Sequence, residues 1–332
     1  MLPPEIQRIV LLIALAAVGY LLILAWTEDM EAAKAPMVYS DSPVLSQQPL
    51  AAQSDRPVVD EFAPIDSDIA PVPQAPVTQP AVGKGRLVKV ETPVLEVWID
   101  LLGGDIARVQ LPTYPISLEQ PDTPFLLMDR SASRTYIAQS ALIGSDGIDK
   151  TGARPLYEAA SDSLTLSEGG ELVLTTTLDD ARVSKIFAFE PDSHLINIRY
   201  EVVNLATRSK TMRLLTQIKR DRLPPPTDET VPLAPSPYLG GALTTPDNNY
   251  KKVDFDDLDE GNFQASAIGG WMAFLQHYFL TAWVAPSDQA TNYLARKTSD
   301  GFYLFGFTGQ NQSIQPGATG IWRADFYAGP KD

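Results

Sequence analysis

Apolar and polar residues alternate along many short segments from residue 86 onward. The alternation is clearest in residues 194–202, and it is typical of an antiparallel strand with one buried face. Turn signals such as Gly103-Gly104 and Gly169-Gly170 separate these segments, and no helical pattern alternates with them. The pattern therefore predicts a mainly β fold, a large antiparallel β-sandwich. Further strands are predicted at residues 95–100, 105–111, 135–143, 171–178, 182–189, 212–219 and 302–307.

A different pattern opens the chain, where residues 9–26 form a run of 18 uncharged residues. A helix of this length nearly spans the hydrocarbon core of a bilayer. A cleaved signal peptide is the alternative, but the nearby Ala33-Lys34-Ala35 site is followed by Pro36, which we expect to block cleavage. We therefore predict an N-terminal transmembrane anchor over residues 1–27.

Charges on the two sides of this run predict its orientation. Arg8 and the terminal amine precede it, whereas Glu28, Asp29 and Glu31 follow it. By the positive-inside rule, the N-terminus lies in the cytoplasm and the chain after the helix is exported. In a bacterium, this predicts a protein of the inner membrane with the bulk of the chain in the periplasm.

Residues 28–85 do not have the composition of a folded domain. They contain nine prolines and nine carboxylates, but only three basic and two aromatic residues. Such a segment buries too little apolar surface to offset the entropy cost of ordering it. We predict a disordered linker here, which holds a periplasmic domain of residues 86–332 away from the membrane.

A second uncharged stretch, residues 262–287, is longer than the first, at 26 residues. Its middle holds the polar residues Gln276, His277 and Tyr278. Burying these groups unpaired in hydrocarbon costs several kcal/mol, so we reject a second membrane span. A pair of buried strands, or a strand with a short helix, is predicted instead.

Composition narrows the chemistry that the chain can carry. Because cysteine is absent, a disulfide, a thiolate nucleophile and a Cys-ligated metal site are excluded. The formal charge is −15, from 26 basic and 41 acidic residues, which argues against nucleic acid as a partner. The common hydrolase, metalloprotease and phosphate-loop motifs are absent, and only His194 and His277 are histidines. We predict no catalytic residue, no cofactor and no metal site.

Two further segments invite a functional interpretation. The acidic residues 254–261 look like a calcium loop, but Leu258 and Asp259 stand where an EF-hand needs a ligand and a glycine. A solvated acidic loop is the default. The proline-rich residues 224–237 predict an exposed loop, which is either a docking surface or, as we favour, a plain connection between two sheets.

The most specific signal lies in residues 269–283. They begin Gly-Gly-Trp-Met-Ala-Phe-Leu-Gln-His-Tyr-Phe and end Thr-Ala-Trp. This resembles the G-G-W-x-A-x-x-Q-H-Y-F-x-x-A-W segment of the YidC membrane protein insertases of Gram-negative bacteria. Residues 315–320 and 327–331 are similar to the family's last periplasmic strands, although Ala285 interrupts the family pattern before Pro286. The positions that match the family, which we expect to be structural, are Gly269, Gly270, Trp271, Gln276, His277, Tyr278, Phe279, Trp283, Gly317, Gly329 and Pro330.

The resemblance implies a galactose-mutarotase-like super-sandwich and a place in the bacterial inner membrane. It implies an insertase that assists the insertion, folding and assembly of integral membrane proteins, with or without the Sec translocon. The implied partners are the Sec translocon with its accessory subunits, nascent integral membrane proteins and the lipid bilayer. In this family, the insertion groove belongs to later transmembrane helices beyond Asp332, so the present part is expected to anchor and to dock. If the part docks through a loop, the proline-rich segment 224–237 and the C-terminal strands are the candidate contact surface.

An alternative function follows from the same fold: a membrane-anchored periplasmic carbohydrate-binding or mutarotase-like enzyme. Such an enzyme needs His194 or His277 to converge with a carboxylate in an open cleft. The insertase interpretation instead predicts that the large aromatic residues of the motif segment pack in the core. These residues are Trp271, Phe274, Tyr278, Phe279 and Trp283.

Overall fold

The computed structural model describes residues 86–149, 153–225, 238–245 and 248–331. The predicted anchor (1–27), the predicted linker (28–85) and most of the proline-rich segment 224–237 lie outside these residues. Within the described part of the chain, no helix combines the length and the apolar character needed to cross a bilayer.

The described residues form twenty strands and one short helix. In chain order they are β1 (Leu87–Glu91), β2 (Glu96–Asp100), β3 (Asp105–Ser117), β4 (Gln120–Arg130), β5 (Thr135–Ile143), β6 (Glu158–Ala159), β7 (Ser163–Thr165), β8 (Gly170–Leu178), β9 (Ala181–Phe189), β10 (Leu195–Asn204), β11 (Lys210–Arg220), β12 (Gly240–Thr245), β13 (Asn248–Val253), α1 (Phe255–Glu260), β14 (Phe263–Ile268), β15 (Trp271–Leu275), β16 (Phe279–Val284), β17 (Ala290–Lys297), β18 (Tyr303–Thr308), β19 (Gln312–Ile314) and β20 (Thr319–Pro330).

These strands form two sheets. The larger sheet has the strand order β14-β17-β18-β11-β5-β4-β3-β2-β1-β7, with β19 also paired to β11. The smaller sheet has the order β13-β12-β15-β16-β20-β10-β9-β8-β6. Neighbouring strands run antiparallel except for the short parallel pair β1 and β7. The predicted mainly β, antiparallel architecture is confirmed.

The alternation in the sequence explains how the sheets pack. In β10, Ile196, Ile198, Tyr200 and Val202 are buried, whereas the residues between them are at least partly accessible. Burying each large apolar side chain stabilises the fold by about 1.5–3 kcal/mol. Inward side chains of both sheets form one continuous core, and Tyr136 in β5 bonds to Thr281 in β16 across it, at 2.7 Å between hydroxyl oxygens.

The strands predicted from the sequence are all present. β5 has the predicted bounds, and β3 runs further than predicted, to Ser117. The second uncharged stretch forms β14, β15 and β16, of which β15 and β16 are the predicted pair of largely buried strands.

Candidate functional site

The motif residues lie on the β15–β16 hairpin and along β20, which pairs with β16. Phe279 stands opposite Pro330 in this pairing, and the Lys331 backbone N–H donates to the Tyr278 carbonyl at 2.9 Å. The hairpin turn and the end of β20 therefore meet at one end of the sandwich. His194 lies nearby, because a Cβ added to Gly329 would stand 2.6 Å from its Cγ atom.

The remaining motif positions lie elsewhere. Gly269 and Gly270 form the turn that leads into β15, and a Cβ on Gly270, with φ of 98°, would come within 2.4 Å of the Thr244 carbonyl oxygen. Gly317 lies in the turn before β20, where its N–H donates to the Asn204 carbonyl at 2.8 Å. The glycines thus serve separate backbone turns, and the motif does not converge on one site.

The aromatic residues of the segment divide into two groups. Phe274, Phe279 and Trp283 are 0%, 7% and 1% exposed, as predicted for packing residues. Trp271 is only half-buried at the start of β15. The expectation for Tyr278 is wrong, because this side chain is 68% exposed.

The hairpin turn explains why Tyr278 is exposed. The Gln276 N–H donates to the Phe279 carbonyl at 2.9 Å, so His277 and Tyr278 form the tip of a tight turn. Their rings project into solvent and stack on each other with 4.0 Å between centroids. Gln276 itself is buried at 3% exposure.

Two depressions in the described part of the chain do not provide the cleft of a mutarotase-like enzyme. One, of about 470 Å³, is lined chiefly by amide and apolar side chains, with Arg323 as its charged residue. The other, of about 500 Å³, lies over the ends of β14 and β17. Neither contains a histidine or a carboxylate, which acid–base chemistry on a sugar requires.

Most of the acidic segment 254–261 forms the helix α1 (Phe255–Glu260), and not the loop that we expected. Phe255 and Leu258 anchor one face of this helix in the core. Asp259 accepts hydrogen bonds from Lys297 at 2.7 Å and from the Tyr303 hydroxyl at 2.7 Å. In the described ranges, no group of three or more candidate ligand side chains could hold a metal ion.

A cluster of buried charged residues joins the two sheets, and sequence reasoning missed it. Asp105 begins β3, Lys185 lies in β9, and Asp149 and Arg154 belong to the connection after β5. Nη1 of Arg154 donates to Asp105 Oδ1 at 2.5 Å, and its Nε donates to Asp149 Oδ1 at 3.1 Å. Asp105 and Asp149 are 3% and 5% exposed. Arg154 therefore balances two carboxylates away from solvent.

Lys185 completes this cluster through carbonyl groups. Its Nζ donates to Gly104 O at 2.8 Å and to Gly103 O at 3.0 Å, and it lies 5.0 Å from the centre of the Tyr200 ring. Burial lowers the pKa of Lys185 to about 7, and burial raises the pKa of the Asp149 carboxyl. Although burial opposes it, the charges of Asp105 and Asp149 raise the pKa of Arg154.

These shifts do not by themselves make the cluster reactive. Neither depression is lined by any of its residues, and Lys185 of β9 links its sheet to the other one through the carbonyl groups of Gly103 and Gly104. The sequence held one signal for the cluster, because Lys185 occupies an inward position of β9 between the buried Val183 and Phe187. A charged residue at an apolar position of a strand predicts a buried partner.

The amino-acid sequence matches a known protein family. The sequence profile of the YidC periplasmic domain matches residues 87–332. The protein named Membrane protein insertase YidC of Azotobacter vinelandii is 38% identical over 99% of this chain, and that of Cellvibrio japonicus is 38% identical over 98%. The chain spans 59% and 58% of the length of these two relatives.

Solved structures of similar fold are more distant. A galactose mutarotase-like protein from Lactobacillus casei overlaps with 74% of this chain at a TM-score of 0.49 and 10% identity. A galactose mutarotase related enzyme from Lactobacillus acidophilus overlaps with 73% at a TM-score of 0.47. Likeness at this level carries no inference about activity. On the strength of its sequence relatives, the chain belongs to the YidC family of membrane protein insertases and contains that family's periplasmic domain.

Proposed function

We propose that this chain is the anchoring and periplasmic part of a bacterial inner-membrane insertase. In this role it assists the insertion, folding and assembly of integral membrane proteins, with or without the Sec translocon. The observation that carries the proposal is the family match over residues 87–332, together with 38% identity to a named insertase over 99% of the chain.

The chain divides into three parts under this proposal. Residues 1–27 anchor it with the N-terminus in the cytoplasm, residues 28–85 form a disordered linker, and residues 86–332 form the periplasmic domain. The uncharged run 9–26 and its flanking charges support the anchor and its direction. The high proline and carboxylate content supports the linker.

We propose docking, and not catalysis, as the task of the periplasmic domain, with the Sec translocon, nascent membrane proteins and the bilayer surface as partners. Support comes from the charged cluster around Arg154, which lies inside the fold. The motif residues likewise shape turns and core, apart from the exposed His277-Tyr278 tip. This tip lies beside Lys331, at the end of the domain where the last strand finishes.

The chain alone should not insert membrane proteins. Insertion needs a polar path within the bilayer, because a bare charge in hydrocarbon costs at least about 2.5 kcal/mol, and one helix cannot enclose such a path. In the test, a bacterial cell is depleted of its own insertase. One strain receives residues 1–332 alone, and another receives a chimera, in which these residues replace the matching region of the Azotobacter vinelandii relative. We expect rescue of growth by the chimera and no rescue by the chain alone.

The rescue experiment is decisive in both arms. The intact Azotobacter vinelandii protein is the positive control, and immunoblots establish equal amounts of each product. Rescue by residues 1–332 alone contradicts the proposed division of labour. Failure of the chimera, at a level at which the control rescues, contradicts the assignment of these residues to the insertase.

A further inference from the structure

Four strands lie at the ends of the two strand orders in the described residues, β6, β7, β13 and β14, and the three-residue strand β19 pairs with β11 alone. An open edge carries unpaired backbone N–H and C=O groups, and proteins protect it by shortness, lysine, proline or a bulge. β6 and β7 contain two and three residues. β13 carries Lys251 and Lys252. Short length or lysine residues therefore protect these edge strands from pairing with another chain.

The edge strand β14 has none of these protections. Its six residues, Phe-Gln-Ala-Ser-Ala-Ile, include no charge and no proline. It pairs with β17 in continuous register from Phe263 opposite Ala295 to Ile268 opposite Ala290, without a bulge. An uncharged edge strand of this length, without a bulge or a proline, is a template for a further strand.

The register shows which backbone groups face outward from β14. The Gly269 N–H donates to the Gln289 carbonyl at 3.0 Å, just beyond the end of the strand. Gly269 and Gln289 are therefore a hydrogen-bonded pair, and in an antiparallel ladder such pairs alternate with non-hydrogen-bonded pairs. A β14 residue in a non-hydrogen-bonded pair directs its backbone N–H and C=O groups away from β17. These residues are Gln264, Ser266 and Ile268.

The side chains of β14 indicate what an added strand would gain. Phe263, Ala265 and Ala267 pack against the main core but remain only partly buried. A neighbouring strand with apolar residues on that face would complete their burial. On the opposite face, Ile268 is 60% exposed beside the depression of about 500 Å³.

We propose that β14 is a docking edge at which an extended segment of a client polypeptide adds as a further strand. The matching segment alternates apolar with uncharged polar residues, because β14 itself presents no charge. That the client is a nascent membrane protein rests on the proposed function.

Peptide binding to the full chain in lipid nanodiscs tests this docking edge. The probe is a fluorescein-labelled peptide that alternates valine and threonine, and fluorescence anisotropy measures its binding. Gln264→Pro removes one outward N–H and leaves the β14–β17 bonds intact, whereas Gln264→Ala keeps the N–H. We expect about tenfold weaker binding for Gln264→Pro and wild-type binding for Gln264→Ala.

A second variant decides the outcome if Gln264→Pro fails to fold, which circular dichroism reports. Ile268→Lys gives β14 the charge that protects β13, and it should also weaken binding about tenfold. Wild-type affinity in a folded Gln264→Pro or Ile268→Lys variant overturns the proposal. So does self-association of the chain through β14 that the peptide fails to compete, which would make a second copy the occupant.

The peptide experiment is independent of the rescue experiment. Wild-type peptide affinity in the folded Gln264→Pro and Ile268→Lys variants, with chimera rescue intact, removes the docking edge and leaves the proposed function. If the chimera fails to rescue growth but Gln264→Pro and Ile268→Lys still weaken peptide binding, the proposed function is wrong and the docking edge remains as a general peptide-binding site.

Discussion

Replacing Trp283 by alanine should lower the free energy of unfolding of the periplasmic domain by about 3–5 kcal/mol. The indole is 1% exposed in β16 and lies 4.9 Å from the Phe326 ring between centroids. Its removal leaves a cavity in the continuous core between the two sheets. Urea unfolding of the chain, followed by circular dichroism, measures the loss.

The same hairpin supplies a matched control for this prediction. Tyr278 is 68% exposed at the hairpin tip, so Tyr278→Ala should change the free energy of unfolding by no more than about 0.5 kcal/mol. Trp271→Ala should lie between the two, because Trp271 is half-buried. Equal losses for Trp283→Ala and Tyr278→Ala would contradict the packing described for this hairpin.

Replacing Arg154 by methionine should cost a similar amount, about 3–5 kcal/mol, for an electrostatic reason. The variant leaves Asp105 and Asp149 buried without the guanidinium that faces both of them. A buried carboxylate that has lost this partner either stays charged, which raises the free energy of the folded state, or takes up a proton. The loss should therefore be greatest at neutral pH and smaller at acid pH, where the Asp149 carboxyl, whose pKa is raised by burial, takes up a proton.

An exposed arginine provides the control for this loss. Arg222 is paired with Asp256 and Asp259 near α1, and its side chain is 52% exposed. Arg222→Met should cost no more than about 1 kcal/mol, because solvent screens the lost pairs. If Arg222→Met and Arg154→Met cost the same, Arg154 does not compensate the two buried carboxylates in the way that the geometry indicates.

The sequence predicts much of the sandwich because strand periodicity is a local property. Residues 135–143 match β5 at both ends, since strand-forming residues such as Tyr136, Ile137 and Ile143 stand near its ends and no glycine or proline interrupts it. β4 is not predicted from the sequence, because Pro121 and Pro124 argue against a strand. The structure accommodates them through repeated register shifts between β3 and β4.

Features that depend on distant residues are harder to predict. Asp105 and Arg154 are 49 positions apart in sequence, and nothing local shows that they meet. The exposure of Tyr278 likewise depends on a two-residue turn, which composition does not distinguish from a strand interior. The unprotected edge of β14 becomes visible only when the strand order of both sheets is known.

The side of the membrane on which the sandwich lies is the central claim of this account. A dual reporter fused after Lys331, alkaline phosphatase in one version and β-galactosidase in the other, measures it directly in cells. We expect active phosphatase and inactive galactosidase, because Arg8 precedes the uncharged run 9–26 and acidic residues follow it. Active galactosidase with inactive phosphatase would place the domain in the cytoplasm and contradict the anchor, its orientation and the periplasmic role together.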